Sequence, residues 1–384
     1  MNLRRTLQQT VPSDPAARDR AWRVVAAAHA ELPVTAPRRR WRAFVASGCA
    51  AAVVALGATA VAAPNSDVGH FVRSVLGLSD TKPKPALVRV PGGGRLLVHA
   101  GSSAWVVAAD GSRRRLGSFD GASWSPHGLF VVAWRGRTLT ALTPAGTPRW
   151  AISRPAPVTV ARWAPGDGYR IAYLEGPTLR VINGDGTGDH LYGAAAPSVA
   201  PAWQPGAEHV LAYVTAQGRV AAAAVDERRT LWRGPRVPDA PFELTWSADG
   251  RRLLVVSPTR VLVLGAGGQT LRRLAIAGVT SAAWAPHGHR FTLVEPAAGG
   301  ASRLVLYGTG RARTLFTVPG ALGAPAWSPD GNRVLVAWPQ AGQWLFLRVT
   351  GPVPAAEAVA RIARQFAPGA ARAAFPDSAS WIAP

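Results

Sequence analysis

One cysteine, Cys49, stands among 384 residues, and only two of the 43 basic residues are lysines, Lys82 and Lys84. A single thiol excludes a disulfide framework and any cysteine-built metal site. Carboxylates are scarce as well, 21 against 43 basic residues, for a formal charge of +22. The chain lacks a Gly-x-Ser-x-Gly elbow, a His-Glu-x-x-His helix and a Walker loop, so the common hydrolase, metallopeptidase and nucleotide-cleaving schemes have no foothold. No enzyme is expected; a hydrolase built from other residues is the remaining catalytic alternative.

The surplus of positive charge invites a nucleic-acid reading, which the distribution does not support. Residues 86–384 hold 31 arginines against 16 carboxylates, a formal +15. The arginines are scattered, apart from Arg113-Arg114-Arg115 and pairs such as Arg228-Arg229, Arg251-Arg252 and Arg272-Arg273. These fall at turns or strand starts, where solvated charge is a sufficient explanation. Arginine dominance in an alanine-rich chain also reads as a compositional habit. No nucleic-acid partner is expected. A cationic surface outside a membrane instead attracts anionic envelope polymers or lipid headgroups over long range.

Charge is missing altogether from one long run, residues 43–63. As a helix, 21 residues rise about 31 Å, enough to cross a bilayer. Arg38, Arg39, Arg40 and Arg42 precede the run and Asn65, Ser66 and Asp67 follow it. The positive-inside bias then keeps residues 1–42 in the cytoplasm and places the rest outside, as a single-pass membrane protein. Cleavage before Pro64 is one alternative, but the basic lead of about forty residues is long for a signal peptide. Lipidation at Cys49 is another, but most of the apolar run follows that cysteine. A buried soluble helix is the third. Within 1–42, Ser13 and Asp14 cap a helix over about 15–31 with Ala21, Val24, Val25 and Ala28 on its apolar side. After the span, Phe71, Val72, Val75 and Leu76 suit a short amphipathic helix within 64–85, and Thr81-Lys82-Pro83-Lys84-Pro85 suits a stiff linker.

What the chain has in plenty is glycine, proline and tryptophan, 40, 33 and 15 residues. Six tryptophans open the same phrase: Trp124-Ser125-Pro126-His127-Gly128, Trp163-Ala164-Pro165, Trp203-Gln204-Pro205, Trp246-Ser247-Ala248-Asp249-Gly250, Trp284-Ala285-Pro286-His287-Gly288 and Trp327-Ser328-Pro329-Asp330-Gly331. They recur about every forty residues, the period of a β-propeller blade. Apolar and β-branched runs follow each phrase, as in 251–256 and 260–264 around Ser257-Pro258-Thr259, and read as strand, turn and strand. The spacing predicts an all-β, seven-bladed β-propeller over 86–384; six or eight blades need a miscounted end. Residues 86–118 are a unit without the phrase, and Ala379-Ser380-Trp381 supplies it from the far end. Pairing of the two closes the ring and spares it two open strand edges.

The phrases resemble the WD-repeat-like blades of TolB-type proteins, whose usual wording is Trp-Ser-Pro-Asp-Gly before an apolar strand. Trp327 to Gly331 matches in full and Trp246 to Gly250 nearly so. The resemblance spans 86–384 and implies a propeller that binds or scaffolds, although the family also includes non-catalytic domains of peptidases. The function expected is a membrane-anchored, extracytoplasmic, non-catalytic binding, scaffold or sensor module, with a protein or envelope polymer on a propeller face. The alternative is a transmembrane regulator of the anti-sigma-factor type, whose segment 1–42 holds a cytoplasmic protein; the zinc-binding His/Cys phrase of many such regulators is missing.

Three sets of polar residues remain. His127 and His287 occupy the slot of Asp249 and Asp330, which makes them turn residues, with metal or pH sensing the alternative. Asn183, Asp185, Thr187 and Asp189 alternate oxygens that could circle a calcium ion, but no closing glutamate follows and a plain turn suits the place equally. No cofactor is expected. Asp226, Glu227 and Glu295 have no partner that spacing identifies.

Overall fold

A computed structural model describes residues 83–384 apart from 167–168, 197, 238, 352–354, 367–373 and 377. The segment expected in the cytoplasm, the span expected at 43–63 and the short helix expected around 71–76 lie outside the described residues. Among the described residues, no helix is long and apolar enough to cross a membrane.

The strands, numbered β1–β28 along the chain, form seven four-stranded antiparallel sheets. They make a seven-bladed β-propeller. The innermost strands are short: β4 (Gly121–Trp124), β8 (Val158–Trp163), β12 (Ala202–Trp203), β16 (Glu243–Trp246), β20 (Ser281–Trp284), β24 (Ala326–Trp327) and β28 (Ser378–Ile382). Each touches its counterpart in the next blade, and β28 touches both β24 and β4, which completes the circle. Blades 2 to 7 run β4–β7, β8–β11, β12–β15, β16–β19, β20–β23 and β24–β27.

Blade 1 takes its strands from both ends of the propeller. β1 (Arg95–Ala100) pairs antiparallel with β28, in the register Leu96 to Trp381 and Val98 to Ala379. β2 (Ser103–Val107) and β3 (Arg113–Ser118) complete it. The lead-in is also fixed to the ring. Lys84 bridges Val359 at the outer strand of blade 7 and its ammonium lies 2.6 Å from Glu357. Leu87 and Val90 are buried with Val359, Ile362 and Phe366. The stiff linker expected over 81–85 therefore ends against the propeller at Lys84.

The middle strands explain the apolar runs. In β17 (Arg252–Ser257), Leu253 to Val256 are all fully buried. A middle strand is covered by neighbouring blades on both faces, so alternation disappears and a continuous apolar run replaces it. Outer strands read differently, as in β19 (Thr270–Leu274), where Leu271, Arg272 and Arg273 are exposed. The apolar core is accordingly a set of clusters, each joining two neighbouring blades.

The phrase builds the turn between first and second strands. In blade 5, Gly250 N–H donates to Ser247 O at 2.8 Å, and Ser247 Oγ bonds Asp249 at 2.6 Å and accepts from Arg252 N–H at 3.0 Å. Gly250 has φ 66°, and a Cβ there would lie 2.0 Å from Pro205 O in blade 4. Both the positive φ and the close approach demand glycine.

Candidate functional site: an aromatic groove between two blades

The seven phrase tryptophans occupy equivalent places at the ends of the innermost strands. Four of them share one bond. Trp203 Nε1 donates to Arg162 O at 2.9 Å, Trp246 to Ala202 O at 3.1 Å, Trp284 to Thr245 O at 2.9 Å and Trp327 to Ala283 O at 3.2 Å. Each acceptor precedes the tryptophan of the previous blade. A buried indole N–H needs such an acceptor, and these four side chains are buried.

The other three depart from the rule. Trp381 donates to Gly93 O at 2.8 Å. Trp124 and Trp163 have half-buried side chains whose Nε1 atoms meet no acceptor among the described residues. The inner tie therefore runs unbroken from blade 3 to blade 7 and is absent between blades 7 and 1, between blades 1 and 2 and between blades 2 and 3.

A second substitution coincides with the last of these gaps. One residue before the cross-strand partner of each phrase tryptophan, five blades carry arginine: Arg95, Arg170, Arg252, Arg290 and Arg333. Blade 4 has Val210 and blade 2 has Phe130. The Arg290 guanidinium lies 5.8 Å over the Trp327 ring of the next blade, and Arg95 lies 5.3 Å over Trp124. Phe130 instead stacks on Trp163 at 6.5 Å with 21° between the rings. Replacing a long cation by a flat apolar ring leaves space.

That space is a groove of about 460 Å³, lined on the blade 2 side by His127, Leu129, Phe130 and Trp150 and on the blade 3 side by Trp163 and Tyr169. Leu129 is 63% and Tyr169 50% exposed, two of the largest apolar exposures in the described chain. The outer end is bridged by Trp150 Nε1, which donates to Gly184 O at 2.8 Å. Arg149 and Asp185 give the groove one cation and one anion. The hydroxyl and amide of Thr187 hold Asp185 below the usual carboxylate range. Burial, and then the Asp185 carboxylate, push the Tyr169 hydroxyl up. Ser125 Oγ accepts from Phe130 N–H at 2.9 Å and is occupied with the turn. The chemistry on offer is apolar contact with one charge of each sign.

The oxygens considered for calcium are spent on the protein. Asp189 binds Arg154 at 2.6 Å, Arg180 at 2.9 Å and the Tyr173 hydroxyl at 2.7 Å. Asp185 Oδ1 accepts from both groups of Thr187, and Asn183 Oδ1 accepts from Arg170 at 2.5 Å. These contacts favour the plain turn, whose inward Asp189 carboxylate pairs with Arg154 and Arg180, over a calcium loop. No cluster of three or more metal-ligating side chains occurs among the described residues. His127 and His287 sit exposed in their turns. The carboxylates without a partner in the sequence find one in space. Asp226 pairs with Arg170 and His209, Glu227 with Arg229, and the buried Glu295 with Arg303 at 2.9 Å and Tyr307 at 2.5 Å.

One further polar pair lies on the innermost strands. Glu243 Oε2 accepts from Ala282 N–H at 3.0 Å and from Ser281 Oγ at 3.4 Å. Burial pushes its carboxyl up to about 7, against those two bonds and the charge of Arg162. Neither residue stands out in the sequence, because both sit in strands that read as ordinary repeat units.

No protein-family model matches the chain, and no curated protein sequence matches it. Solved structures do match in shape. The C-terminal WD40 domain of Sif2 aligns with a TM-score of 0.53 at 15% identity, over 71% of this chain and 83% of that one. The Cps50 (Swd1) β-propeller domain of Myceliophteria thermophila aligns at 0.52 and 15%, over 68% and 99%. A chain of the mitotic checkpoint complex aligns at 0.50 and 14%, over 62% and 78%. The fold is WD40-like. At these identities the likeness speaks for architecture alone.

Proposed function

We propose that the protein is a membrane-anchored β-propeller of TolB-like type, facing outward and acting as a non-catalytic binding or scaffold module. The anchor rests on the uncharged run 43–63 and the arginines before it; the fold is compatible with a binding or scaffold role. The observation that carries the reading is the aromatic groove between blades 2 and 3. It exposes Leu129 and Tyr169 where two sister seams set an arginine over the indole ring. Exposed apolar surface rimmed by polar groups marks an interaction site. The partner that fits is a protein segment offering apolar side chains to Phe130, Trp163 and Tyr169 and a carboxylate to Arg149.

A photo-crosslinking residue in place of Leu129, in intact cells, tests this. A discrete protein adduct is expected, absent with the crosslinker at the exposed Val88 and lost in Phe130→Arg. The same adducts from both positions would sink the groove as the docking site. Orientation is checked separately: a cysteine at Ser79 should react with an impermeant reagent in intact cells and one at Gln9 should not.

A further inference from the structure

Three of the six large apolar side chains exposed among the described residues are leucines on the outer strands of consecutive blades. Leu191, in β11 (His190–Ala194), is 55% exposed; Leu231, in β15 (Arg229–Arg236), is 38% exposed; Leu271, in β19, is 50% exposed. An isolated exposed leucine needs no explanation. Three in sequence around one arc of the rim do. Leu231 and Leu271 fall where the strand register slips, so neither has a cross-strand partner. The residues beside them turn away across the seams: Trp232 donates to Ala266 O at 2.7 Å and Arg272 to Gly308 O at 3.2 Å.

Two of these three strands are cationic. β15 carries Arg229, Arg233 and Arg236, β19 carries Arg272 and Arg273, and neither strand holds a carboxylate. Glu227 pairs with Arg229. Arg233, Arg236 and Arg273 have no carboxylate within ion-pair distance among the described residues. Arginine on an edge strand guards against strand-to-strand aggregation. Leucine beside it does the opposite, so guarding does not account for the pair.

We infer that the outer rim of blades 3 to 5 docks on an anionic lipid bilayer. Leu191, Leu231 and Leu271 enter the headgroup layer, and Arg233, Arg236 and Arg273 hold lipid phosphates. Guanidinium groups match phosphate oxygens in paired hydrogen bonds, and apolar side chains interleaved with cations are what an interfacial surface requires. A soluble polyanion would satisfy the arginines and leave the leucines in water. The bilayer satisfies both. This site is separate from the groove, so either can fail without the other.

The test uses the full-length chain with Cys49→Ser and Leu271→Cys, labelled at residue 271 with an environment-sensitive fluorophore. It is read in bilayer discs with and without phosphatidylglycerol. A blue shift is expected in the anionic discs only, absent for the same label at Leu129→Cys, and lost in the Arg233→Glu, Arg273→Glu variant. Raising salt to about 0.5 M should weaken the shift with every arginine in place, because exposed charges are then screened within a few ångströms. No shift in anionic discs overturns the inference, as does an equal shift in charge-free discs. A shift produced by soluble polyphosphate without lipid overturns it in favour of a polymer.

Discussion

Blades 5 and 3 hold their neighbours by different means, although their sequences announce the same repeat. Trp246 is buried and its indole N–H is bonded to blade 4; Trp163 is half-buried and its indole N–H has no protein acceptor toward blade 2. Both tryptophans end an innermost strand, and both open a Trp-x-Pro or Trp-Ser turn. What differs is the preceding blade's contribution: arginine or valine in one set of seams, Phe130 in the other. The repeat thus sets where a ring is placed without fixing how the seam around it closes: Trp124 also lacks an acceptor, although Arg95 lies over it.

The comparison breaks most severely if the ring itself opens. Deleting residues 378–384 removes β28, exposes the edge of β1, strips β24 and β4 of a packing neighbour, and should lower the melting temperature of the propeller by about 10–20 °C with aggregation on heating. Calorimetry of the truncated chain checks this; an unchanged melt means that the ring does not depend on β28. Next, Trp246→Ala should cost about 4–5 kcal/mol, a large-to-small core change plus a lost hydrogen bond, and Trp163→Ala only about 2–3 kcal/mol. Equal losses in denaturant titrations would erase the distinction between tied and open seams.

Glu243 gives a smaller effect with a defined sign. Its carboxyl is raised from 4.5 to about 7 in the folded state, so the native protein binds the proton more tightly than the unfolded chain. Stability should therefore be full below pH 4.5 as far as this group is concerned and decline as pH rises toward 7. Partial solvent access reduces the effect to roughly 1–2 kcal/mol. Glu243→Gln should flatten that part of the stability profile and be the more stable form at pH 8. The smallest change is the most pointed. Phe130→Arg should restore the arginine-on-indole contact of seams 6/7 and 1/2, add about 0.5 kcal/mol, and close the groove. If stability is unchanged and the groove still captures its partner, the identity of residue 130 does not set the seam.

Much of the architecture was legible because it is periodic. The tryptophan phrases place the innermost strands, the glycine after each phrase places the turn, and Trp381 at the far end places the closing strand. The site was not legible for the opposite reason. Phe130 looks like one more apolar residue at the start of an apolar strand, and its oddity emerges only when cross-strand register aligns it with Arg95, Arg170, Arg252, Arg290 and Arg333. Leu129 and Tyr169 likewise are unremarkable until two blades bring them to one opening. The loop at 183–189 misled in the other direction: its oxygens alternate in sequence, but Asp189 points inward to Arg154 and Arg180, contacts that separations of 35 and 9 residues do not advertise.

The pairing of β1 with β28 also has a consequence in time. Leu96 and Trp381 are cross-strand partners, so the first blade cannot be finished until the chain has been synthesised through Trp381. Up to that moment the nascent chain carries an open β1 edge, and each completed blade waits on a seam that has no second side. Contacts of such long sequence separation form slowly, so closure of the ring is expected to be a late step in folding. A chain stalled or clipped before β28 would thus be left as an unfinished ring.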